Sequence, residues 1–437
     1  MSTVQQRFAE VGARSRVART AVRALVTVVL FGWVGVVPAA GWPTVSAQAE
    51  PIRVGILHSL TGSVAIAERP INETTLLAIE EINASGGLLG RRVEPIIVDG
   101  RSDWPTFAAE AERLIGEEHV EAVFGCYTSA SRRTVVPIFE RHHNALFYPT
   151  FYEGVESSPN VVYTGATPNQ YIIPAVKWFM ENRGKRIFLV GSDYIWPRAA
   201  NAVIKAQAEY LGGTVVGEKY LPLGSSETAP ILQAIKETQP EVIVSTVVGD
   251  TNIPFFRDLR AAGITPKTIP TLSLALGETE LQSLETATMA GDYVAQTYFQ
   301  SIDTADNHRF VAEVKRRYGP DTVVSDQMEA AYASVHLWAQ AVRSAGSADP
   351  QRVLRAIRGM GMNAPQGRVY VDEENLHTWK TPRIGRIRAD GQVDIIWASE
   401  ALVHPMPYSI FRTKQAWEDM VSELFRMWGG DWSAPAG

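Results

Sequence analysis

The stretch "IRVGILH", Ile52–His58, decides the fold, because it is the first of a series of short apolar segments. It is rich in β-branched residues, which is typical of a buried strand. The polar loop "SLTGSVA" follows it, and apolar residues then recur at helical spacing from Asn72 until Gly86 and Gly87 end the pattern. The order strand, loop, helix is therefore established within the first segment of the regular part of the chain.

The same order repeats along the chain. The strand-like segments "RRVEPIIVD", "VEAVFG" and "ALFYP" alternate with helical patterns, and the rhythm starts again with "KRIFLVGSD" and "EVIVSTVVGD". Strands that alternate with helices predict βαβ units and a mostly parallel sheet. Two such sets in series predict two lobes of ordinary domain size, so the fold class is α/β.

The N-terminus has a different pattern. An apolar run, Ala24–Ala40, follows four arginines, and "AQA" at Ala47–Ala49 precedes the first strand. A basic segment, an apolar segment and an A-x-A site describe a secretory signal peptide. The alternative is an uncleaved membrane anchor, but glycines and prolines interrupt the run, which is short for a spanning helix. We expect a mature chain that starts near Glu50 and is exported to the periplasm.

Composition excludes several function classes. The chain has 437 residues, a formal net charge of −6 and one cysteine. Without a basic surplus, nucleic acid is a poor candidate partner. One cysteine rules out an internal disulfide and a multi-cysteine zinc site. The sequence also lacks a G-x-S-x-G elbow, a Walker A loop and an H-E-x-x-H motif. We predict no cofactor and no metal.

Cys126 is the residue that most suggests an enzyme. It lies at the end of a predicted strand and just before a predicted helix, where a thiolate would be stabilised. A nucleophile also needs a base within reach, and the neighbouring sequence offers none. We predict a buried, inert thiol and a chain that is not an enzyme, with an amide hydrolase using Cys126 as the alternative.

Polar and aromatic residues cluster in the loops that follow the predicted strands. The carboxyl ends of parallel strands meet at one edge of a sheet, where α/β proteins bind ligands. Hydroxyls, aromatic rings and isolated carboxylates suit a small neutral polar molecule, whereas an anion would call for a fixed cation. The loop residues are Ser59, Thr61, Ser63, Tyr127, Ser129, Ser131, Tyr148, Thr150, Tyr152, Asp193, Tyr194, Trp196 and Asp250.

Several of these residues also have a purely structural interpretation. Ser129 or Ser131 is the N-cap of the helix that follows them. Tyr148 and Trp196 are core aromatics in this interpretation, and Asp193 and Asp250 cap the next helices. The residue types alone leave both interpretations open.

A resemblance narrows the choice. The segments "AIEEINASGGLLGRRVEPIIVDGRSDW", "FGCYTSASRRTVVPIFE", "LVGSDYIWPR" and "NAPQGRVYVDEENLHTWKTPRIGRI" resemble type I periplasmic binding proteins of the branched-chain amino acid group. Within that group they look like the branch that binds urea and short-chain amides. That branch includes urea-type ABC transporter proteins and an amide-sensing amidase regulator. The resemblance covers Ile52 to Trp397.

The resemblance implies a two-lobed Venus flytrap fold with three hinge crossovers, near Gly165, Phe299 and Thr378. Each lobe is then a mostly parallel sheet flanked by helices. The implied segments are a signal peptide at 1–49, lobe 1 at 50–165 and 300–378, lobe 2 at 166–299 and 379–420, and a C-terminal tail at 421–437.

The resemblance also implies a site and a role. The ligand-binding residues carry over as Tyr127, Ser129, Tyr148 and Thr150 from the first lobe, with Asp193, Tyr194 and Asp250 from the second. The implied ligand is urea or a short-chain aliphatic amide, two options that stay open, and the implied partner is an ABC permease in the membrane. The alternative is an extracytoplasmic sensor of the same fold that signals to a membrane partner.

Overall fold

Two separate sheets with helices on both faces form most of the fold. The structure is a computed structural model that describes residues 50–435, so the predicted signal peptide at 1–49 lies outside the described residues. No described helix is long and apolar enough to cross a membrane.

The strands are β1 (Ile52–His58), β2 (Val93–Asp99), β3 (Ala122–Gly125), β4 (Leu146–Tyr148), β5 (Val161–Tyr163), β6 (Arg186–Ser192), β7 (Thr214–Leu221), β8 (Val242–Thr246), β9 (Thr271–Ser273), β10 (Tyr293–Gln296), β11 (Gly361–Ala364), β12 (Gly367–Val371), β13 (Thr378–Trp379), β14 (Arg383–Ile387) and β15 (Val393–Ala398).

The helices alternate with the strands in the first two thirds of the chain, as the sequence predicts. They are α1 (Ala65–Ala84), α2 (Trp104–Gly116), α3 (Ser129–His142), α4 (Ile172–Asn182), α5 (Ile195–Tyr210), α6 (Ala229–Thr238), α7 (Asn252–Ala261), α8 (Glu278–Leu281), α9 (Thr286–Met289), α10 (Ala305–Tyr318), α11 (Asp326–Ala345), α12 (Pro350–Ala356) and α13 (Lys414–Met427).

The first sheet has the order β2-β1-β3-β4-β5, and its paired strands are all parallel. Along β1, Ile52, Val54 and Ile56 pack into the core on the side of α1 and α11, whereas Leu57 belongs to the core on the side of α2 and α3. A strand that is covered on both faces needs apolar residues on both. This explains why apolar residues occupy both faces of β1, in which Arg53 alone is exposed.

The second sheet has the order β15-β14-β10-β9-β8-β6-β7. The strands from β6 to β10 pair in parallel, and β14 and β15 add an antiparallel edge. One face packs with α4 and α5, and the other packs with α6 and α7. A small antiparallel sheet, β11-β12-β13, completes the described part of the chain. The α/β, two-lobed prediction is confirmed.

The chain passes between the two large sheets after β5, after β10 and between β13 and β14. The residues predicted as crossovers, Gly165, Phe299 and Thr378, lie in or beside these connections. Lys380 joins two of them, because its ammonium group donates a hydrogen bond to the Thr297 hydroxyl at 3.1 Å. Their role as hinges stays a prediction.

Two local predictions need correction. Helix α1 begins at Ala65, ahead of the predicted start at Asn72, although it contains Pro70. The predicted boundary between lobe 2 and the tail, at residues 420 and 421, falls inside α13. That helix is held in place by the fully buried Trp417, whose indole N–H donates to the Ser409 carbonyl at 2.8 Å. The sequence pattern did not reveal this because the contact joins α13 to residues outside the helix.

Candidate functional site

The carboxyl ends of β1 and β3 lie side by side and begin the site. Leu57 pairs with Gly125, so the loop after β1 lies next to the loop that starts at Cys126. Cys126 has a left-handed backbone, with φ of 62°, and its N–H donates to the Leu57 carbonyl at 2.8 Å. This turn ends the strand and points the chain towards Tyr127 and α3.

The N-cap of α3 is Thr128, whereas the sequence analysis expected Ser129 or Ser131 to be the cap. The Thr128 hydroxyl accepts a hydrogen bond from the Ser131 N–H at 3.0 Å. Ser129 and Ser131 therefore lie in the first turn of the helix and are not its cap. The cap moves by one residue because Thr128 has the extended backbone that an N-cap requires.

The Ser129 hydroxyl is held by a buried network of charges. It donates to a Glu153 carboxylate oxygen and accepts from the Arg132 guanidinium at 3.1 Å. Arg132 also pairs with Glu156 at 2.8 Å, and Arg133 pairs with Glu153 at 2.9 Å. Because its proton is already donated, Ser129 can offer a ligand only a remaining lone pair.

Tyr148 is fixed in a similar way. Its hydroxyl donates to the Tyr127 carbonyl at 2.8 Å, and the Arg132 guanidinium carbon lies 4.7 Å from the centre of its ring. Burial raises the pKa of the Tyr148 hydroxyl, so it stays protonated. Like Ser129, Tyr148 has its proton committed within the protein and keeps only acceptor capacity.

Two other predicted residues have hydroxyls without a partner. The Tyr127 hydroxyl and the Thr150 hydroxyl are both buried, and neither forms a hydrogen bond with any residue of 50–435. A buried polar group that lacks a partner costs about 1–3 kcal/mol. These two hydroxyls are free to donate to a carbonyl oxygen or to accept an N–H.

The second sheet contributes Tyr194, which stands at the start of α5 and is 2 % exposed. Burial, and after it the neighbouring Tyr127 and Tyr148, hold the pKa of the Tyr194 hydroxyl well above its usual value. The two lobes also meet through Trp196, whose ring centre lies 5.4 Å from that of Phe151. The structure thus gathers Tyr127, Ser129, Tyr148 and Tyr194, and the buried Thr150 follows Tyr148 by two residues.

The two predicted aspartates lie apart from this group. Asp193 pairs with Arg198 at 2.7 Å and keeps its carboxylate partly in solvent. Asp250 is exposed, and its backbone N–H donates to the Ser63 carbonyl of the first lobe at 3.3 Å. Neither aspartate caps a helix with its side chain. Their predicted role as ligand contacts stays a prediction.

Two glutamates that the sequence analysis did not single out act directly on Tyr127. Burial, then the negative charges of Glu280 and Glu68, hold the pKa of the Tyr127 hydroxyl well above its usual value. Glu68, in α1, accepts from the Ser59 N–H at 2.9 Å, and its second oxygen has no partner among the described residues. Glu280, in α8, accepts from the Gly277 N–H at 2.9 Å.

The sequence contained a signal for Glu280 but not for Glu68. Glu280 follows β9 as Asp193 follows β6, so the same strand-end rule points to the segment "GETE". Glu278, in that segment, is fully buried, and burial raises the pKa of its carboxyl to about 8. Glu68 was missed because the predicted helix began at Asn72, whereas α1 begins at Ala65 and includes Glu68.

The chemistry of the site is that of recognition. Cys126 is buried, as predicted, and burial raises the pKa of its thiol far above the range in which it would ionise. Among residues 50–435 no group of three or more His, Cys, Asp or Glu side chains could hold a metal ion. The buried group combines hydroxyls that donate within the protein, carboxylates, and hydroxyls without a partner among residues 50–435. Its residues come from both lobes.

Comparison with known proteins agrees with this architecture. The family model for the periplasmic binding protein domain matches residues 52–414. A Leu/Ile/Val-binding protein homolog 6 of Brucella suis biovar 1 is 26% identical over 348 residues, which cover 76% of this chain and 86% of that protein. A limonene hydroxylase of Geobacillus stearothermophilus is 36% identical over 118 residues, which cover 27% of this chain and only 22% of that protein.

A solved structure shows the same fold. The solute-binding protein of an ABC transporter from Rhodopseudomonas palustris BisB5, in complex with 3,4-dihydroxybenzoic acid, superimposes with a TM-score of 0.73. It is 22% identical, and the match covers 82% of this chain and 99% of that one. Periplasmic binding proteins bind solutes without catalysis, which confirms the prediction that the chain is not an enzyme. The chain belongs to the periplasmic binding protein domain family and has its type I fold.

Proposed function

We propose that this solute-binding protein works in the periplasm, serves an ABC transporter, and captures urea or a short-chain aliphatic amide between its two lobes. The observation that carries the proposal is the Tyr127 hydroxyl, which is buried, has no partner among residues 50–435, and lies under the influence of Glu68 and Glu280. Glu68 follows a strand of the first sheet, and Glu280 follows a strand of the second.

The balance of donors and acceptors favours an amide. The N–H groups of urea or an amide need acceptors, and Glu68, Ser129 and Tyr148 offer oxygens whose protons are absent or already committed. The carbonyl needs a donor, which the free hydroxyls of Tyr127 and Thr150 supply. One small planar ligand with both kinds of group meets both requirements.

The same balance disfavours a lone anion. A carboxylate ligand would need a fixed cation. The guanidinium groups of Arg132 and Arg133 are already neutralised by Glu153 and Glu156. This distinguishes the proposed ligand from the aromatic acid bound by the R. palustris protein.

Lobe closure is the proposed mechanism. A ligand that contacts residues of both lobes binds the closed arrangement more tightly than the open one, and it shifts the population accordingly. The loops already meet in this structure, because Asp250 and Ser63 are hydrogen-bonded across the two lobes. The closed form is the one that a permease would receive.

Isothermal titration of the exported protein tests the ligand. We expect binding of urea or acetamide, and no binding of 3,4-dihydroxybenzoic acid. Leucine is the second comparison, because an amino acid would combine an ammonium group with a carboxylate. Preference for leucine, or no binding of urea and acetamide at millimolar concentration, would refute the proposed ligand class.

Uptake measurements separate transport from sensing. Deletion of the gene should abolish cellular uptake of the radiolabelled ligand if the protein serves a permease. A sensor of the same fold would leave uptake machinery intact and would change the expression of other genes. Normal uptake in the deletion strain would therefore favour the sensor.

A further inference from the structure

The last described residues form a strap, Asp431–Ala434, that encloses Tyr194 on both sides. The Ile195 N–H donates to the Trp432 carbonyl at 2.9 Å, and the Ala434 N–H donates to the Asp193 carbonyl at 3.1 Å. Tyr194 and Ser433 thereby form an antiparallel bridge. Tyr194 has an extended backbone, with φ of −148°, which is the conformation that such pairing requires.

The same strap contacts the helices of the first lobe. The Trp104 indole N–H donates to the Ser433 hydroxyl at 3.1 Å, and the Arg133 guanidinium carbon lies 5.2 Å from the centre of the Trp432 ring. Trp104 begins α2 and Arg133 lies in α3, both of which cover the first sheet. The strap therefore joins the helices of one lobe to a loop of the other.

The strap is itself well ordered by local contacts. The Asp431 carboxylate accepts from the N–H groups of Trp432 and Ser433, at 2.6 Å and 3.1 Å. The Trp432 ring centre lies 4.3 Å from that of Phe425, which anchors the strap to α13. Its position is therefore set by the end of the helix and by a turn, as well as by the residues that it joins.

We infer that Trp432 and Ser433 are positioning residues for ligand binding, which fix the Tyr194 loop and hold it against α2 and α3 when the lobes are closed. Separation of the lobes would break the contacts either to Trp104 and Arg133 or to the Tyr194 loop. The closed arrangement keeps both sets, so the strap favours it. This inference rests on the proposed function only in assigning Tyr194 to the ligand site.

Two readouts test the inference on the full exported protein. Small-angle X-ray scattering without ligand reports how far the lobes are closed, and stopped-flow binding of urea and acetamide reports association and dissociation rates. We expect Trp432→Ala to increase the radius of gyration. Since it removes the ring contacts with Arg133 and Phe425, we also expect about tenfold weaker binding, chiefly through faster dissociation.

Four further variants make the result specific. Trp432→Phe keeps an aromatic ring and should restore binding, whereas Met427→Ala, at an exposed position of α13, should behave like the wild type. If Trp432→Ala fails to fold, Ser433→Ala and Trp104→Phe each remove one partner of the hydrogen bond between the two side chains, and Ser433→Ala also removes the hydrogen bond that the hydroxyl donates to Asp431. Their double-mutant cycle should show coupling in the dissociation rate.

Unchanged scattering and unchanged dissociation rates in Trp432→Ala, or in both Ser433→Ala and Trp104→Phe where Trp432→Ala does not fold, would overturn the inference. So would an affinity loss that Met427→Ala shares. Failure of the wild type to bind urea or acetamide would refute the proposed ligand but would leave the scattering test decisive for the strap.

Discussion

The Tyr148 hydroxyl donates its proton to the backbone carbonyl of Tyr127 at 2.8 Å, while the Tyr127 hydroxyl has no partner among the described residues. The two tyrosines are thus linked but have opposite roles. One has its proton committed to the protein, and the other keeps it free for a ligand. The same division separates Ser129 from Thr150. A ligand with both N–H and C=O groups, as we propose, would use both kinds of hydroxyl.

The two tyrosines should respond differently to loss of the hydroxyl. Tyr127→Phe should weaken ligand binding by about 1–3 kcal/mol with little change in melting temperature, because the hydroxyl makes no contact within residues 50–435. Tyr148→Phe should also lower the free energy of unfolding by about 0.5–1.5 kcal/mol, since the Tyr127 carbonyl loses its donor. Titration calorimetry and thermal melting measure the two effects.

Tyr210→Phe is the matched control for this pair, because Tyr210 is 78% exposed and lies away from the site. It should change neither affinity nor stability. Equal affinities for wild type and Tyr127→Phe would mean that the Tyr127 hydroxyl does not face the ligand.

Stability should fall as the pH rises from about 5 to about 8. Burial, with the negative charges of Glu280 and Asp326, raises the pKa of the Glu278 carboxyl to about 8, and burial raises that of Glu329 to about 7. Between the unfolded and folded pKa values the native state holds the proton and the unfolded state does not, so raising the pH favours unfolding. Thermal melting across this range measures the slope.

Glu278→Gln should make that slope shallower, because an amide cannot lose the proton. Thermal denaturation is preferred to urea for this experiment, since urea is a candidate ligand. A slope that is unchanged in Glu278→Gln would show that Glu278 is ionised in the folded protein at neutral pH.

Cys126 should be inert in the native protein. Its thiol is buried, and burial raises its pKa, so thiol reagents should label it only after denaturation. Cys126→Ser should still bind the ligand, and wild type should release no ammonia from acetamide or urea. Ammonia release that disappears in Cys126→Ser would establish the hydrolase alternative.

Arg132→Ala should destabilise the protein by about 3–5 kcal/mol, because removing one partner of a buried charge network leaves the others uncompensated. Arg132 is fully buried and pairs with Glu153 and Glu156. Arg257→Ala removes a pair in which the arginine is 60% exposed, and should have almost no effect. Similar melting temperatures for the two variants would contradict this account of the network.

The sequence predicted the fold class and residues that the structure brings together. Apolar runs and helical spacing are local properties of the chain. Strand β1 and the alternation of strands and helices that follows it could therefore be predicted without tertiary information. The strand-end rule then pointed to Tyr127, Ser129, Tyr148, Thr150 and Tyr194 as candidate ligand contacts, and this role stays a prediction. For Asp193 it could not show that Arg198 pairs with the carboxylate, because that contact depends on the conformations of the two side chains.

By itself, then, the sequence determined the α/β architecture and the loops that carry the site, because periodicity and strand ends depend on residues close in the chain. Only the tertiary structure decided which hydroxyls are free and which are committed. It also placed Glu68 and Glu280 beside Tyr127 and docked the strap on Tyr194. These relationships join residues that are far apart in sequence, and side-chain hydrogen bonds over such distances depend on how the lobes pack.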